Sequence, residues 1–155
     1  MTPQAPPDLD LTAQAAPPQV GAFRRALRRW LGEVLDDVVR SAPTTSTGDE
    51  LEDLADDLVL AASEALENVV DHAYADLDPG PMSLRARVHD GTVAVVVTDR
   101  GRWRDPPAGP SSRGRGLEMM ERLAETRVER AEPGTVVTLS RHLPHEANDR
   151  STAQA

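Results

Sequence analysis

The sequence predicts an α+β two-layer sandwich, with a mainly antiparallel mixed sheet and helices on one face. Three observations predict it. Two long stretches in the first half carry apolar residues at helical spacing. An Asp-Gly pair then sits between two β-prone runs, and a Pro-Gly pair separates two more near the end. The chain has 155 residues, room for one domain, with 39% apolar and 28% charged residues. That mixture fits one core with polar flanks.

Residues 1–19 are rich in Pro, Ala and Gln and read as disordered, although residues 9–12 would suit an edge strand if the core offers one. The domain is expected to span residues 20–142. Its first helix covers 20–40, where Val20, Phe23, Leu27, Trp30, Leu31, Val34, Leu35 and Val38 recur at helical spacing. Arg24, Arg25, Arg28 and Arg29 occupy much of the other side. They fit either a solvated face or a docking surface for an acidic partner. A polar loop over 41–49 supplies caps for a long helix over 50–75, whose first turns are acidic as the helix dipole favours. After the turn Asp78-Pro79-Gly80-Pro81, strands at 82–89 and 92–98 form a hairpin across Asp90-Gly91. The run Val93-Ala94-Val95-Val96-Val97 is nearly all apolar and belongs at the centre of the sheet. A loop of Gly, Pro and Arg over 99–113 precedes a helix at about 116–125, then strands at about 127–131 and 135–141. Residues 143–155 read as a disordered tail.

Composition excludes several chemistries. There is no Cys, so no disulfide framework, thiolate metal site or Cys nucleophile. All 17 basic residues are Arg, which removes a P-loop lysine and Schiff-base chemistry. The four His lack metal-ligand spacing. Net charge is −9, which disfavours direct nucleic-acid binding. No apolar run approaches the roughly 20 residues of a membrane span. The first residues lack the basic start of a signal peptide, so a cytoplasmic protein is expected. Asn occurs only at positions 68 and 148, which makes the placement of Asn68 informative.

Three segments carry candidate chemistry. At about 100° per residue, His72, Asn68 and Glu64 lie about 40°, 80° and 120° from the centre of the apolar stripe at Leu58, all on one side. They form a polar ridge from core boundary to surface, while Glu67 points away. A half-buried Glu and Asn must find partners. The spacing allows a structural hydrogen-bond network, or a site where Asn oxygen binds a hard cation and Glu accepts a proton. Second, Asp99-Arg100-Gly101 ends the central strand, as a turn or as a carboxylate aimed at an exocyclic amine. Third, Arg113-Gly114-Arg115-Gly116-Leu117 opens a helix, as a hinge and cap or as an anion site.

Their order is more specific than any one of them: Glu-x-x-x-Asn on a helix, Asp-x-Gly after a strand, Gly-x-Gly-Leu opening a helix. This resembles the GHKL superfamily of ATPases, with its N, G1 and G2 boxes. The stretch from Ser63 to Tyr74 and the closing Gly134-Thr135-Val136-Val137-Thr138-Leu139 resemble the anti-sigma-factor serine/threonine kinase branch. The resemblance implies that ATP and Mg²⁺ bind here. Asn68 would ligand Mg²⁺ and Glu64 would be the general base. Asp99 would receive the adenine amine, supported by Thr135, and Gly101 would admit the base. Gly114, Gly116 and Leu117 would meet the phosphates. With no Lys present, Arg113 is favoured for a positive contact. Trp103 stands where the fuller G1 pattern has a second Gly.

The resemblance implies a kinase that phosphorylates a serine or threonine of an antagonist (an anti-anti-sigma, STAS-type protein) and sequesters a sigma factor. Homodimerisation is common in this branch, with the first helix a candidate face. The alternative is a non-catalytic protein-binding module with a partly degenerate nucleotide site, which Trp103 favours. A histidine kinase would need an upstream phosphoacceptor His, and none precedes His72.

Overall fold

The computed structural model describes residues 6–41, 48–102 and 113–144. Strand β1 (Leu9–Gln14) leads into helix α1 (Pro17–Ser41). Two prolines open α1, where a missing N–H costs nothing because that group has no helical partner. Its apolar stripe is buried from Val20 to Leu35 as the spacing predicts, while Val38, expected to continue it, is only partly buried. Helix α2 (Gly48–Asn68) starts with Asp49 and Glu50 on the positive end of its dipole. It runs directly into a single π-turn, Val69–Ala73. The remaining elements are β2 (Pro81–His89), β3 (Thr92–Asp99), α3 (Arg113–Leu123), β4 (Glu125–Arg130) and β5 (Thr135–His142).

The five strands form one sheet in the order β1-β2-β3-β5-β4, so the apolar β3 is central as expected. Along β3, Val93, Val95, Val97 and Asp99 are buried while the alternate residues are partly exposed. Met82, Leu84 and Ala86 of β2 and Val137 and Leu139 of β5 continue that inner face and share one core with the helices. Val→polar changes on this face would leave the core short of apolar contact, whereas the outer face is already partly wet. Among contacts across the helix layer, Arg28 pairs with Asp56 at 2.7 Å, an exposed bridge that adds little stability. Arg24, Arg25 and Arg29 are likewise exposed.

Five expectations change. The sheet is not mixed: all four strand pairings are antiparallel. Tight connections return β3 beside β2 and β5 beside β4, and β5 then inserts between β3 and β4. Residues 1–19 are not a disordered flank throughout. The edge of β2 is open to a partner, and Leu9, Leu11 and Ala13 alternate inward onto the core. The Trp30 indole N–H also donates to the Pro7 carbonyl at 2.7 Å, tying this segment to α1. The long helix leaves α geometry at Asn68, and α3 begins three residues before Gly116, so the Gly-x-Gly lies inside its first turn. At the other end Leu143 still packs on the core, and its N–H donates to the Gly91 carbonyl at 2.8 Å. The loop residues 42–47, the segment 103–112 with Trp103, and the tail 145–155 lie outside the described residues.

Candidate active site

Glu64, Asn68 and His72 are all half-buried and Glu67 is exposed, as the helical projection predicts. Burial pushes the Glu64 carboxyl above its ordinary value, and the nearby Glu67 carboxylate pushes it further the same way. Helix α3 closes over this ridge. A Cβ placed on Gly116 would lie 3.4 Å from Glu64 Oε2 and 3.6 Å from Asn68 Nδ2. The backbone at Gly116 therefore sits directly against the two polar side chains. Leu117, next in the helix, is 40% exposed and does not complete this contact as a buried group. Arg113 and Gly114 lie in the same first turn, and the Arg113 side chain falls outside the described residues.

The second half of the site forms at the end of β3. Asp99 is only 3% exposed, and the sheet register sets it between Met82 and Thr135. Thr135, buried too, thus stands beside Asp99 by strand pairing. The Gly101 N–H donates to Asp99 Oδ1 at 2.9 Å, which orients the carboxylate. A cleft of about 850 Å³ opens here, walled by Ala73, Leu77, Gly101, Arg102, Gly134 and Thr135. Its size suits a nucleotide base and sugar.

Backbone packing builds this cleft. Ala73 ends the helix, so its carbonyl has no partner within it, and the Arg102 N–H donates to it at 2.7 Å. A Cβ on Gly101 would collide with that carbonyl oxygen and lie 2.8 Å from the Ala73 Cβ. The glycine needed at 101 is therefore explained by the helix end beneath it, whatever binds in the cleft. Gly134, at φ 103°, lies as closely against the Asp99 carbonyl. Sequence reading includes Ala73, Tyr74 and Gly134 in the stretches that carry the resemblance but gives none of them a role in the site. The signal for Gly134 was its place in a turn; the signal for Ala73 and Tyr74 was their position directly after His72.

Substituting Gly101 with alanine drives a methyl group into backbone that cannot yield like a side-chain tip. The expected loss is about 1–3 kcal/mol of stability, read from the midpoint of chemical denaturation. An unchanged midpoint would mean that the helix end and the strand end separate at little cost.

Comparison with known proteins fits this arrangement. A family model described as histidine kinase-like ATPase domain matches residues 13–141. The serine-protein kinase RsbW of Bacillus subtilis strain 168 is 34% identical over 122 residues, covering 68% of this chain and 73% of that protein. The protein of the same name from Bacillus licheniformis strain ATCC 14580 is 28% identical over 160 residues, covering 93% of this chain and 91% of its own. A crystal structure of the RsbU and RsbW domains of a Mycobacterium tuberculosis protein superposes with a TM-score of 0.65 at 30% identity. It covers 89% of this chain, which in turn spans only 32% of that one.

Proposed function

The chain belongs to the histidine kinase-like ATPase domain family, and from that premise we propose that it is an ATP-dependent serine/threonine-protein kinase of the anti-sigma-factor type. Its acceptor is a serine or threonine of an antagonist protein of the STAS type, and in its other state it holds a sigma factor. The B. subtilis and B. licheniformis relatives are named serine-protein kinases, which supports the reaction class. A cytoplasmic setting and a homodimer built on the α1 face belong to the same proposal. No described helix is long and apolar enough to cross a membrane.

One observation carries the reading. Three segments far apart in sequence converge, with Gly116 against Glu64 and Asn68, and with the buried Asp99 bonded to Gly101 and paired with Thr135, two residues that line the neighbouring cleft. The residues fit ATP and Mg²⁺. Asn68 offers a neutral hard oxygen, Glu64 a desolvated carboxylate, and the glycine at 116 a place where backbone stays thin. Mg²⁺ held by Asn68 together with the phosphates and water would neutralise charge on the transferred group. Glu64 takes the proton from the acceptor hydroxyl as its oxygen bonds the γ-phosphorus and the bond to the β-phosphate oxygen breaks. The first turn of α3 presents its free N–H groups and dipole to the phosphates. Asp99 accepts the adenine amine, with its aim set by the Gly101 N–H and by Thr135 alongside.

Asp99→Asn tests the adenine end. Losing the charge on the acceptor should weaken ATP binding about tenfold or more in calorimetry, because hydrogen bonds to charged groups are the stronger ones. Undiminished ATP affinity in the folded variant would move the base away from Asp99.

A further inference from the structure

Three consecutive amide groups follow the buried carboxylate of Asp99, and each has a fixed acceptor. The Gly101 N–H goes to Asp99 itself at 2.9 Å, and the Arg102 N–H to the Ala73 carbonyl at 2.7 Å. The Arg100 N–H goes to the hydroxyl of Tyr74, also at 2.9 Å. That hydroxyl in turn donates to the Pro81 carbonyl at 2.6 Å. Pro81 starts β2, and its neighbour Met82 is the register partner of Asp99. The tyrosine therefore bridges the two strand ends that flank the carboxylate, and it does so from the end of the helix that carries Glu64 and Asn68.

The ring is held for this task. A Cβ on Gly80 would collide with the Tyr74 ring and lie 2.9 Å from its hydroxyl, so a side chain at 80 would displace the ring from this position. Burial raises the phenol above its ordinary value, an effect that the Arg100 N–H bond opposes. The hydroxyl thus stays protonated at neutral pH and keeps its donor role toward Pro81. The Ala73 bond holds the far side of Gly101, so the Asp99–Arg102 segment is stapled at both ends to residues of one helix terminus.

We infer that Tyr74 is a positioning residue for nucleobase selection: its hydroxyl fixes the Asp99–Arg100 peptide and so aims the Asp99 carboxylate at the exocyclic amine of the base. This rests on the nucleotide reading above. It goes further by assigning the choice of base to a side chain that is not among those lining the cleft. The ring also packs against the core, so a loss of affinity alone would not distinguish positioning from bulk support. Selectivity does distinguish them. Inosine triphosphate has the shape and phosphates of ATP but lacks the amine.

The experiment is a calorimetric titration of the full chain with ATP and with inosine triphosphate, both with Mg²⁺, for wild type, Tyr74→Phe and Gly80→Ala. Tyr74→Phe keeps the ring and removes the hydroxyl. Gly80→Ala keeps the tyrosine and pushes its hydroxyl off both partners, which covers the case in which the first variant fails to fold. Wild type should prefer ATP, and either variant should shrink that preference about three- to tenfold, the range one neutral hydrogen bond supports. A folded variant that binds both nucleotides more weakly but keeps the wild-type ratio overturns the inference and leaves the nucleotide site standing. A wild type that binds neither nucleotide overturns both.

Discussion

Asn68→Ala is expected to abolish Mg²⁺-dependent ATP binding, with a loss of affinity greater than about 100-fold, since even outer-shell partners of a metal cost 10–100-fold when removed. The argument starts from scarcity. The sequence has no Lys, and its asparagines are at 68 and 148 alone. The first of these is half-buried on the helix that carries Glu64, with backbone of α3 against it. Among the described residues, no group of three or more His, Asp or Glu is placed to hold a metal ion. A cation at this site must therefore draw most of its ligands from phosphates and water, which is how Mg²⁺ prefers to be bound. With so few protein ligands, one amide oxygen decides whether the ion and the protein are coupled. The check is calorimetry with and without Mg²⁺ on a variant whose thermal midpoint shows that it is folded. Wild type should bind more tightly with Mg²⁺ and the variant should not respond to it. Equal Mg²⁺ dependence in both would place the ion elsewhere.

Much of this site was legible in the sequence because it lies on regular elements. Helical spacing placed Glu64, Asn68 and His72 on one half-buried ridge and turned Glu67 outward, and the burial of each agrees. Alternation and turn chemistry gave the hairpin that puts Asp99 at the end of the central strand. The regular period fails where the geometry stops being regular. Nothing in the sequence from Val69 to Ala73 signals a wider helical turn, and the partner that the carbonyl at its end meets cannot be read from local spacing. Here that partner is the Arg102 N–H, which belongs to another element. Gly134 and Gly80 failed to show for the same reason. Each is required by a close approach, to the Asp99 carbonyl and to the Tyr74 ring, that exists only after the sheet has formed. The edge strand at 9–14 was legible only conditionally, as residues 9–12 that would suit an edge if the core offered one, because its alternation is short and the free edge of β2 exists only in the fold.

Glu64→Gln separates chemistry from binding and makes the site's cost visible. The amide keeps the shape of the carboxylate and so should leave ATP bound. It cannot take the proton of the acceptor hydroxyl, so phosphoryl transfer to an antagonist protein should fall by about 10²–10⁴-fold. Stability should move the other way. Burial and Glu67 raise the folded-state pKa of Glu64 above the ordinary value of 4.5. Between those two values the folded chain holds more protons than the unfolded one, so stability falls as pH rises through the folded value. At neutral pH the carboxylate is therefore a cost to the fold, and the neutral amide removes it. The variant should melt at or above the wild-type temperature at pH 7, and the difference should vanish in acid where wild-type Glu64 is protonated. Transfer that survives in Glu64→Gln would remove Glu64 as the base. A lower melting temperature at pH 7 would show instead that its charge is held by a favourable partner in the folded state.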